Sequence, residues 1–199
     1  MIAIIDCCGS NFASIQYAFE RLGQSCLLTH DKDAISRANY VILPGVGHAK
    51  SSMKALKSHA LDAFIPTLKQ PVLGICLGMQ LLYSHSEEGD TKCLDIIQGK
   101  VRSFSAHNSK ESVPHMGWNT LTNIAEVNLL QGLEQTKHLY FVHSYYADIT
   151  EDCMAECDYI LPFAAMVQKR NFYGMQFHPE KSGTVGETLL RNFINEGKK

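Results

Sequence analysis

The sequence predicts an α/β fold: an open, mostly parallel sheet flanked by helices, with antiparallel strands in the C-terminal half. In the first half, short apolar runs typical of strands alternate with helical patterns, which favours parallel strands with helices on both faces of the sheet. In the second half, residues 100–104, 139–148 and 164–178 resemble strands and hairpins. No internal repeat, low-complexity tract or linker is evident, so we expect a single domain over residues 1–199.

Each element of the first half has its own signal. A helix begins at Asn11 and ends at Gly23, because the apolar residues between them recur at helical spacing. Pro44-Gly45 stops the third strand, since proline cannot continue a central strand. The predicted strands cover residues 1–6, 25–30, 39–45 and 71–76, the other predicted helices cover residues 48–69 (with a break near Ser58) and 77–85, and a last helix carries Val185, Leu189, Leu190, Phe193 and Ile194.

Composition and charge argue against several classes of protein. The 199 residues carry a net charge of -2 and no long basic run, which argues against nucleic-acid binding. The apolar runs are shorter than the roughly 18 residues of a membrane span, and the N-terminus lacks a secretory pattern, so we expect a cytoplasmic protein. Seven cysteines without regular spacing favour reduced thiols. No zinc-like pattern is complete, so we expect neither a metal ion nor a cofactor.

A cysteine lies at the junction of the fourth strand and the helix that follows it. In Gly74-Ile75-Cys76-Leu77-Gly78, glycines flank the cysteine as they flank the serine of a nucleophile elbow. Such a turn presents the thiol at the carboxyl edge of the sheet, and the helix N-terminus stabilises a negative charge on sulfur. The backbone N–H of Leu77 could bind a developing oxyanion. The alternative is a small buried thiol at a helix start.

A candidate base and its orienting carboxylate follow the last strand. His178 ends that strand, and Glu180 comes two residues later, after Pro179. A thiolate nucleophile needs a base, and the base needs a group that orients it. Because proline restricts the bend, Glu180 can hold one imidazole nitrogen while the other faces Cys76. We therefore predict a Cys76-His178-Glu180 triad.

The segment Pro44-Gly45-Val46-Gly47 follows another strand at the same edge of the sheet. Its glycines leave backbone N–H groups unobstructed, so Gly45 or Val46 could complete an oxyanion hole with Leu77 after a local rearrangement. The alternative is an ordinary strand-to-helix turn.

Together, GICLGMQ (74–80), PGVG (44–47) and FHPE (177–180) resemble the triad-type (class I) glutamine amidotransferases. Six further segments are similar, in order and spacing, to the glutaminase subunits of imidazole glycerol phosphate synthases of histidine biosynthesis: IIDCCGSN, LPGVGHAKSSM, SEEG, PHMGWN, YFVHSYY and YGMQFHPEKSG. The resemblance covers nearly the whole chain. It departs at residues 90–97, where DTKCLDII replaces a glycine-rich piece.

The resemblance implies a flavodoxin-like fold and a glutaminase without a cofactor. Cys76 would attack the side-chain amide of L-glutamine, His178 would carry protons, and Glu180 would orient His178. Gln80, one helical turn after Cys76, would contact the bound glutamine together with His143, Ser144 and Tyr145. For residues 143–146 a polar strand edge remains the alternative.

The resemblance also implies a partner. Ammonia at neutral pH is mostly protonated, so it must pass by a protected path to the (β/α)8-barrel cyclase subunit, HisF, of a heterodimer that makes imidazole glycerol phosphate and AICAR. Trp118 and Lys181 match interface positions. The alternatives are core packing for Trp118 and a solvated surface position for Lys181.

Three other functions remain open at this point. The chain could be a paralogous subunit that supplies ammonia to another synthase, a regulatory subunit whose triad is unused, or a standalone glutamyl peptidase. The intact triad residues argue against the second, and the interface-like motifs argue against the third.

Overall fold

A computed structural model of the chain describes residues 1–7, 12–107, 110–133 and 138–197. Asn11, the predicted start of the first helix, lies outside these residues. The first half contains β1 Ile2–Ile5, α1 Ala13–Arg21, β2 Cys26–Thr29, α2 Lys32–Arg37, β3 Tyr40–Leu43, α3 Ala49–Ser58, α4 Leu61–Phe64, β4 Val72–Ile75, α5 Leu77–Gln80, β5 Tyr83–Ser86, β6 Thr91–Lys92 and β7 Ile97–Ser103. The second half contains β8 His115–Asn119, β9 Leu139–His143, β10 Tyr145–Ala147, β11 Cys153–Asp158, β12 Pro162–Lys169, β13 Phe172–Met175 and α6 Gly183–Glu196.

Most strands join one large sheet with two distinct regions. Strands β2, β1, β3, β4 and β13 lie side by side in this order, and every neighbouring pair among them is parallel. Antiparallel pairs then extend the sheet from β13 through β12 to β10 and β7, and β11 pairs with β12. Strands β8 and β9 form a separate antiparallel pair. The predicted fold class is therefore confirmed: a mostly parallel first half and an antiparallel second half.

The sheet divides the core into two halves, as β1 illustrates. Ile2 and Ile4 pack on one face against α1 and α6, whereas Ala3 and Ile5 pack on the other face against α2, α3 and α4. Because side chains alternate along a strand, a strand covered by helices on both faces is apolar at every position. That is why MIAIID carries no polar alternation.

One predicted helix is wrong in its second half. The sequence pattern predicts a helix over residues 77–85, but α5 ends at Gln80 and Tyr83–Ser86 form β5. The reason is tertiary: β5 pairs in parallel with β7, and the fully buried Tyr83 donates a hydrogen bond to Asp148 O at 3.0 Å. Helix α2 and strands β6, β8 and β11 are additional elements that the sequence patterns do not predict.

The segment 139–148, expected as continuous strand structure, is divided at Ser144. Strand β9 before it pairs with β8, whereas β10 after it pairs with β7 in the large sheet. Ser144 O accepts a backbone hydrogen bond from Phe104 N at 3.1 Å, which fixes the crossing point. This change of sheet places residues 143–145 along the same cavity as Cys76, at the end of β4.

Helices of the described part are neither long enough nor apolar enough to cross a membrane.

Candidate active site

Cys76 occupies a sharp turn between β4 and α5. Its backbone has a φ of 51° and a ψ of -109°, a conformation that non-glycine residues rarely adopt outside functional turns. Cys76 N donates to Met175 O at 2.7 Å, so the turn is tied to β13. A Cβ added to Gly78 would overlap Leu43 O, which explains why glycine is required where α5 packs on the end of β3. The sequence predicts a helix over residues 77–85 whose dipole would stabilise a negative charge on the sulfur. Because α5 is a single turn, that longer helix is absent.

His178 and Glu180 form a buried pair just after β13. His178 Nδ1 donates to Glu180 Oε1 at 2.8 Å, and the two side chains are 3% and 4% exposed. The backbone of His178 is held on both sides: its N–H donates to Tyr140 O at 2.9 Å, and its carbonyl accepts from Ser182 Oγ at 2.7 Å. Among the described atoms, the buried Nε2 of His178 has no hydrogen-bond partner. One imidazole nitrogen is therefore fixed and the other is available.

The charge state of His178 depends on its neighbours. Burial lowers the pKa of His178, but the Cys76 and Glu180 side chains oppose it and raise the pKa to about 10. A histidine with such a pKa carries its proton at neutral pH, next to the sulfur.

The sulfur of Cys76 has two further polar neighbours. Its Sγ lies 3.7 Å from Val142 O, which can accept from the thiol, and 3.6 Å from Gln176 Nε2, which can donate to sulfur. Cys76 is 7% exposed. That small exposure faces a cavity, so the thiol can be reached by a ligand.

A cavity of about 310 Å³ brings the predicted site residues together. Both Cys76 and His178 line it. So do the three residues predicted for an oxyanion hole and the four predicted for glutamine binding, namely Gly45, Val46, Leu77, Gln80, His143, Ser144 and Tyr145. The remaining lining residues are Gly47, Glu88, Pro114 and Val142. Gly45 lies directly against the elbow, because a Cβ added there would overlap Ile75 O.

One carbonyl organises the polar wall of the cavity. Tyr145 O accepts from Gln80 Nε2 at 2.8 Å and from His143 Nδ1 at 2.7 Å. Because a carbonyl only accepts, His143 carries its proton on Nδ1, and its Nε2 accepts from His115 Nδ1 at 3.0 Å. Burial lowers the pKa of His143 to about 3 and that of His115 to about 4, so both rings are neutral at physiological pH. The segment 143–145 is thus held by neutral side chains.

Three residues near the cavity were not predicted from the sequence. Gln176 accepts from Gln80 Nε2 at 2.9 Å and contacts the sulfur. Glu88 lines the cavity and caps α3, since its Oε2 accepts from Ala49 N at 2.6 Å. His115 supports His143. Only Gln176 had a usable signal: it lies two residues before His178, the spacing that places side chains on the same side of an extended chain.

The other cysteines differ from Cys76 in their surroundings. The six described cysteines are free thiols. Burial raises the pKa of Cys26 and Cys153 to about 11, and that of Cys93 and Cys157 to about 12. Because the thiolate is the nucleophile, these four are unreactive at neutral pH. Within the described ranges, no group of three or more His, Cys, Asp or Glu side chains could hold a metal ion.

An exposed surface lies on the outer side of β8 and β9. Trp118 is 57% exposed and Met116 is 63% exposed, so core packing is excluded for Trp118. The Trp118 ring lies 5.7 Å from that of Tyr140, and Lys181 Nζ lies 5.9 Å from the Tyr140 ring centroid. We call Met116, Trp118, Tyr140 and Lys181 the β8–β9 surface. The two residues predicted at an interface therefore share one exposed surface, next to the His178–Glu180 pair.

Solved structures with similar folds confirm the architecture. A glutamine amidotransferase structure aligns over 100% of this chain and 99% of its own, with a TM-score of 0.77 and 17% identity. A second glutamine amidotransferase, from Thermotoga maritima, aligns over 98% of this chain and 96% of its own, with a TM-score of 0.71 and 16% identity. At these identities the likeness concerns the fold alone.

Sequence comparison gives closer relatives. The imidazole glycerol phosphate synthase subunit HisH of Bacteroides fragilis (strain YCH46) is 47% identical over 193 residues, covering 97% of this chain and 98% of the relative. Subunit HisH 2 of Legionella pneumophila (strain Paris) is 50% identical over 195 residues, covering 98% of each. The family model described as glutamine amidotransferase class-I matches residues 3–196. The chain therefore belongs to the class-I glutamine amidotransferase family, in the branch that its HisH relatives represent.

Proposed function

We propose that this chain is the cytoplasmic glutaminase subunit of an imidazole glycerol phosphate synthase. It hydrolyses L-glutamine to glutamate and ammonia, and passes the ammonia to a (β/α)8-barrel cyclase subunit that makes imidazole glycerol phosphate and AICAR. The observation that carries the proposal is the buried 2.8 Å hydrogen bond from His178 Nδ1 to Glu180 Oε1, beside a cysteine on a strained turn. The names of the relatives support the choice of synthase.

Before acylation, the proton of the Cys76 thiol has moved to His178, which leaves a thiolate beside an imidazolium. The sulfur attacks the side-chain amide carbon of glutamine, and the carbonyl oxygen becomes an oxyanion. His178 then donates its proton to the amide nitrogen, the C–N bond breaks, and ammonia leaves a glutamyl thioester. Glu180 keeps the imidazolium oriented throughout. Positioned proton transfer of this kind contributes about a hundred- to ten-thousandfold to the rate.

Deacylation uses the same groups in reverse. Water loses a proton to His178 as its oxygen attacks the thioester carbon. The C–S bond breaks, glutamate leaves, and Cys76 and His178 regain their starting state. The backbone N–H groups of Leu77 and of Gly45 or Val46 stabilise the oxyanion in both steps. Removing one such donor typically costs about a hundred- to a thousandfold in rate.

The cavity wall suggests how glutamine is oriented. Both protons of the Gln80 amide are used, on Tyr145 O and Gln176 Oε1, so its oxygen is what it offers to a ligand. Glu88 is the single carboxylate among the described residues that line the cavity. We therefore place the α-ammonium group of glutamine toward Glu88 and its reacting amide over Cys76.

We expect Glu88→Gln to raise KM for glutamine by about ten- to a hundredfold, the usual loss for a hydrogen bond to a charged group, with kcat changed little. The side-chain oxygen of the new residue at position 88 can still accept from Ala49 N, so the cap on α3 is kept. The measurement is steady-state kinetics with glutamine. Glu87→Gln is the matched control, because Glu87 also accepts a backbone N–H, from Ser103 at 2.8 Å, but does not line the cavity. Equal KM values for the two variants would contradict the placement of the ammonium group.

The β8–β9 surface is the face we propose for the cyclase subunit. Large amphipathic rings are enriched at protein interfaces, and the exposed Trp118 lies beside the partly buried Tyr140. Lys181 directly follows Glu180 in the chain, so a carboxylate of the partner bound at Lys181 would act close to the triad. This proximity offers a route by which the partner can influence glutamine hydrolysis.

The experiment that tests the function compares the chain alone with the chain plus a co-expressed barrel subunit. We expect the isolated chain to be a poor glutaminase, because the Gly45–Gly47 loop can hold an oxyanion donor out of place until the partner and its ligand bind. Glutamate release and synthesis of imidazole glycerol phosphate are measured. Full glutaminase activity of the isolated chain would contradict the activation mechanism. Activity with a different synthase and none with the cyclase would identify a paralogous subunit instead.

A further inference from the structure

We infer that Gln176 is a further residue of the catalytic centre, whose side-chain N–H binds the sulfur of Cys76 and holds it for attack. This inference rests on the proposed role of Cys76 as nucleophile. It assigns to Gln176 a direct contact with the reacting atom, in addition to the proton transfers of His178 and Glu180.

Gln176 is fixed at every polar position that the structure describes for its side chain. It is fully buried, and its backbone N–H donates to Ala165 O at 2.9 Å. Its Oε1 accepts from Gln80 Nε2 at 2.9 Å, and its Nε2 donates to Cys76 Sγ at 3.6 Å. A buried amide with both ends engaged has no freedom to turn away from the sulfur.

The direction of these hydrogen bonds follows from one acceptor. Tyr145 O can only accept, so the group 2.8 Å away must be the NH₂ of Gln80. The second proton of that NH₂ points to Gln176, which must therefore present its oxygen. The opposite end of the Gln176 amide, facing the sulfur, is then the NH₂. Reversing Gln176 would place two NH₂ groups against each other.

An N–H donor matters most when the sulfur is ionised. The protonated thiol can donate to Val142 O at 3.7 Å, but an anionic sulfur has no proton to give and is repelled by that carbonyl. Gln176 supplies a donor that stabilises the anion, and its amide does not titrate, so it does not compete with His178 for the proton. The same bond fixes the sulfur in the cavity.

The test uses alkylation of Cys76 by iodoacetamide, a small reagent that does not need the glutamine-binding groups. Gln176→Met keeps the length of the side chain and removes the donor. We expect the alkylation rate of the Cys76 peptide, followed by mass spectrometry on the full chain with its barrel subunit, to fall by about ten- to a hundredfold. We expect kcat for glutamine to fall by a similar factor, with a smaller change in KM.

Two variants separate direct contact from other effects. Gln168→Met is the matched control, since Gln168 Nε2 donates to Arg170 O at 3.4 Å, away from the cavity. In this variant Cys76 should be alkylated at the same rate as in the wild type. Gln80→Met removes the neighbour of Gln176 but leaves the donor to sulfur. It should therefore raise KM for glutamine, but it should slow the alkylation of Cys76 far less than Gln176→Met does. Gln176→Leu, which also removes the donor and adds no charge beside the sulfur, replaces Gln176→Met if the latter does not fold.

The outcomes are distinct. An unchanged alkylation rate in the folded Gln176 variant overturns the inference. Alkylation that is slowed as much by Gln80→Met as by Gln176→Met also overturns it, because Gln176 would then act only through Gln80. Absence of glutamine hydrolysis by the wild-type complex would instead overturn the proposed function, while the alkylation rates would still decide the role of Gln176.

Discussion

Cys76→Ser should abolish synthesis of imidazole glycerol phosphate from glutamine and leave synthesis from added ammonium salts intact. A serine hydroxyl is far harder to ionise than a thiol, so it is a much weaker nucleophile at neutral pH. We expect the glutamine-dependent rate to fall by about a thousandfold or more, as losses of a nucleophile do in other triad enzymes. In the proposed complex, the ammonium-dependent rate depends on a separate site in the cyclase subunit.

The two activities are measured on the same complex, so the substitution carries its own internal control for assembly. Cys153→Ser is a second control, because Cys153 lies on β11 and does not line the cavity. Loss of both activities in Cys76→Ser alone would show that Cys76 has a structural role and would contradict the nucleophile assignment.

The parts of the fold that the sequence predicted are those where local pattern and final burial agree. The four residues of β1, Ile2–Ile5, are all apolar because both faces of the strand are covered. Gly74 and Gly78 are glycines because the elbow leaves no space for a Cβ. These constraints act within a few residues, so they can be recognised without the rest of the structure.

The errors arise where a distant strand decides the outcome. Tyr83–Ser86 have a sequence that a helix could accommodate, but pairing with β7 gives the segment a buried place in the sheet. The division of residues 139–148 at Ser144 depends on β8 and on the large sheet, which compete for the two halves. Local propensity contains neither contact.

The candidate site shows the same division. Cys76, His178 and Glu180 were predicted because each lies in a short pattern with a chemical reason for its spacing. Gln176 and Glu88 were not, because their importance depends on contacts with Gln80 and Ala49, which are 96 and 39 residues away in the chain. A buried amide or a helix-capping carboxylate is ordinary until the structure places it against a nucleophile or a cavity.

Glu180→Gln should lower kcat/KM for glutamine by about a hundredfold or more and shift its pH dependence. The substituted amide oxygen can still accept from His178 Nδ1, so the orientation of the ring is kept and only the charge is lost. Burial alone would lower the pKa of His178, and the carboxylate is one of the two groups that raise it to about 10. Without it, the imidazolium that we propose protonates the amide nitrogen of glutamine is less stable.

The direction of the shift follows from that raised pKa. The wild type keeps the imidazolium across neutral pH and loses it as the pH rises through about 10, so kcat/KM should fall there. In Glu180→Gln the fall should begin at lower pH. By linkage, the stability contributed by protonated His178 is fully present below its unfolded pKa of about 6.5 and is lost as the pH rises toward 10, so Tm should also depend less on pH in the variant.

Glu187→Gln is the matched control for this last prediction. Glu187 lies on α6, and its exposed carboxylate pairs only with Arg191 at 2.8 Å among the contacts described for it, so the same loss of charge occurs outside the cavity. Its pH profile should match that of the wild type. If Glu180→Gln lowered kcat/KM without moving the alkaline limb, Glu180 would be acting through ring orientation or packing alone, and the electrostatic coupling from carboxylate through imidazole to sulfur would have to be abandoned.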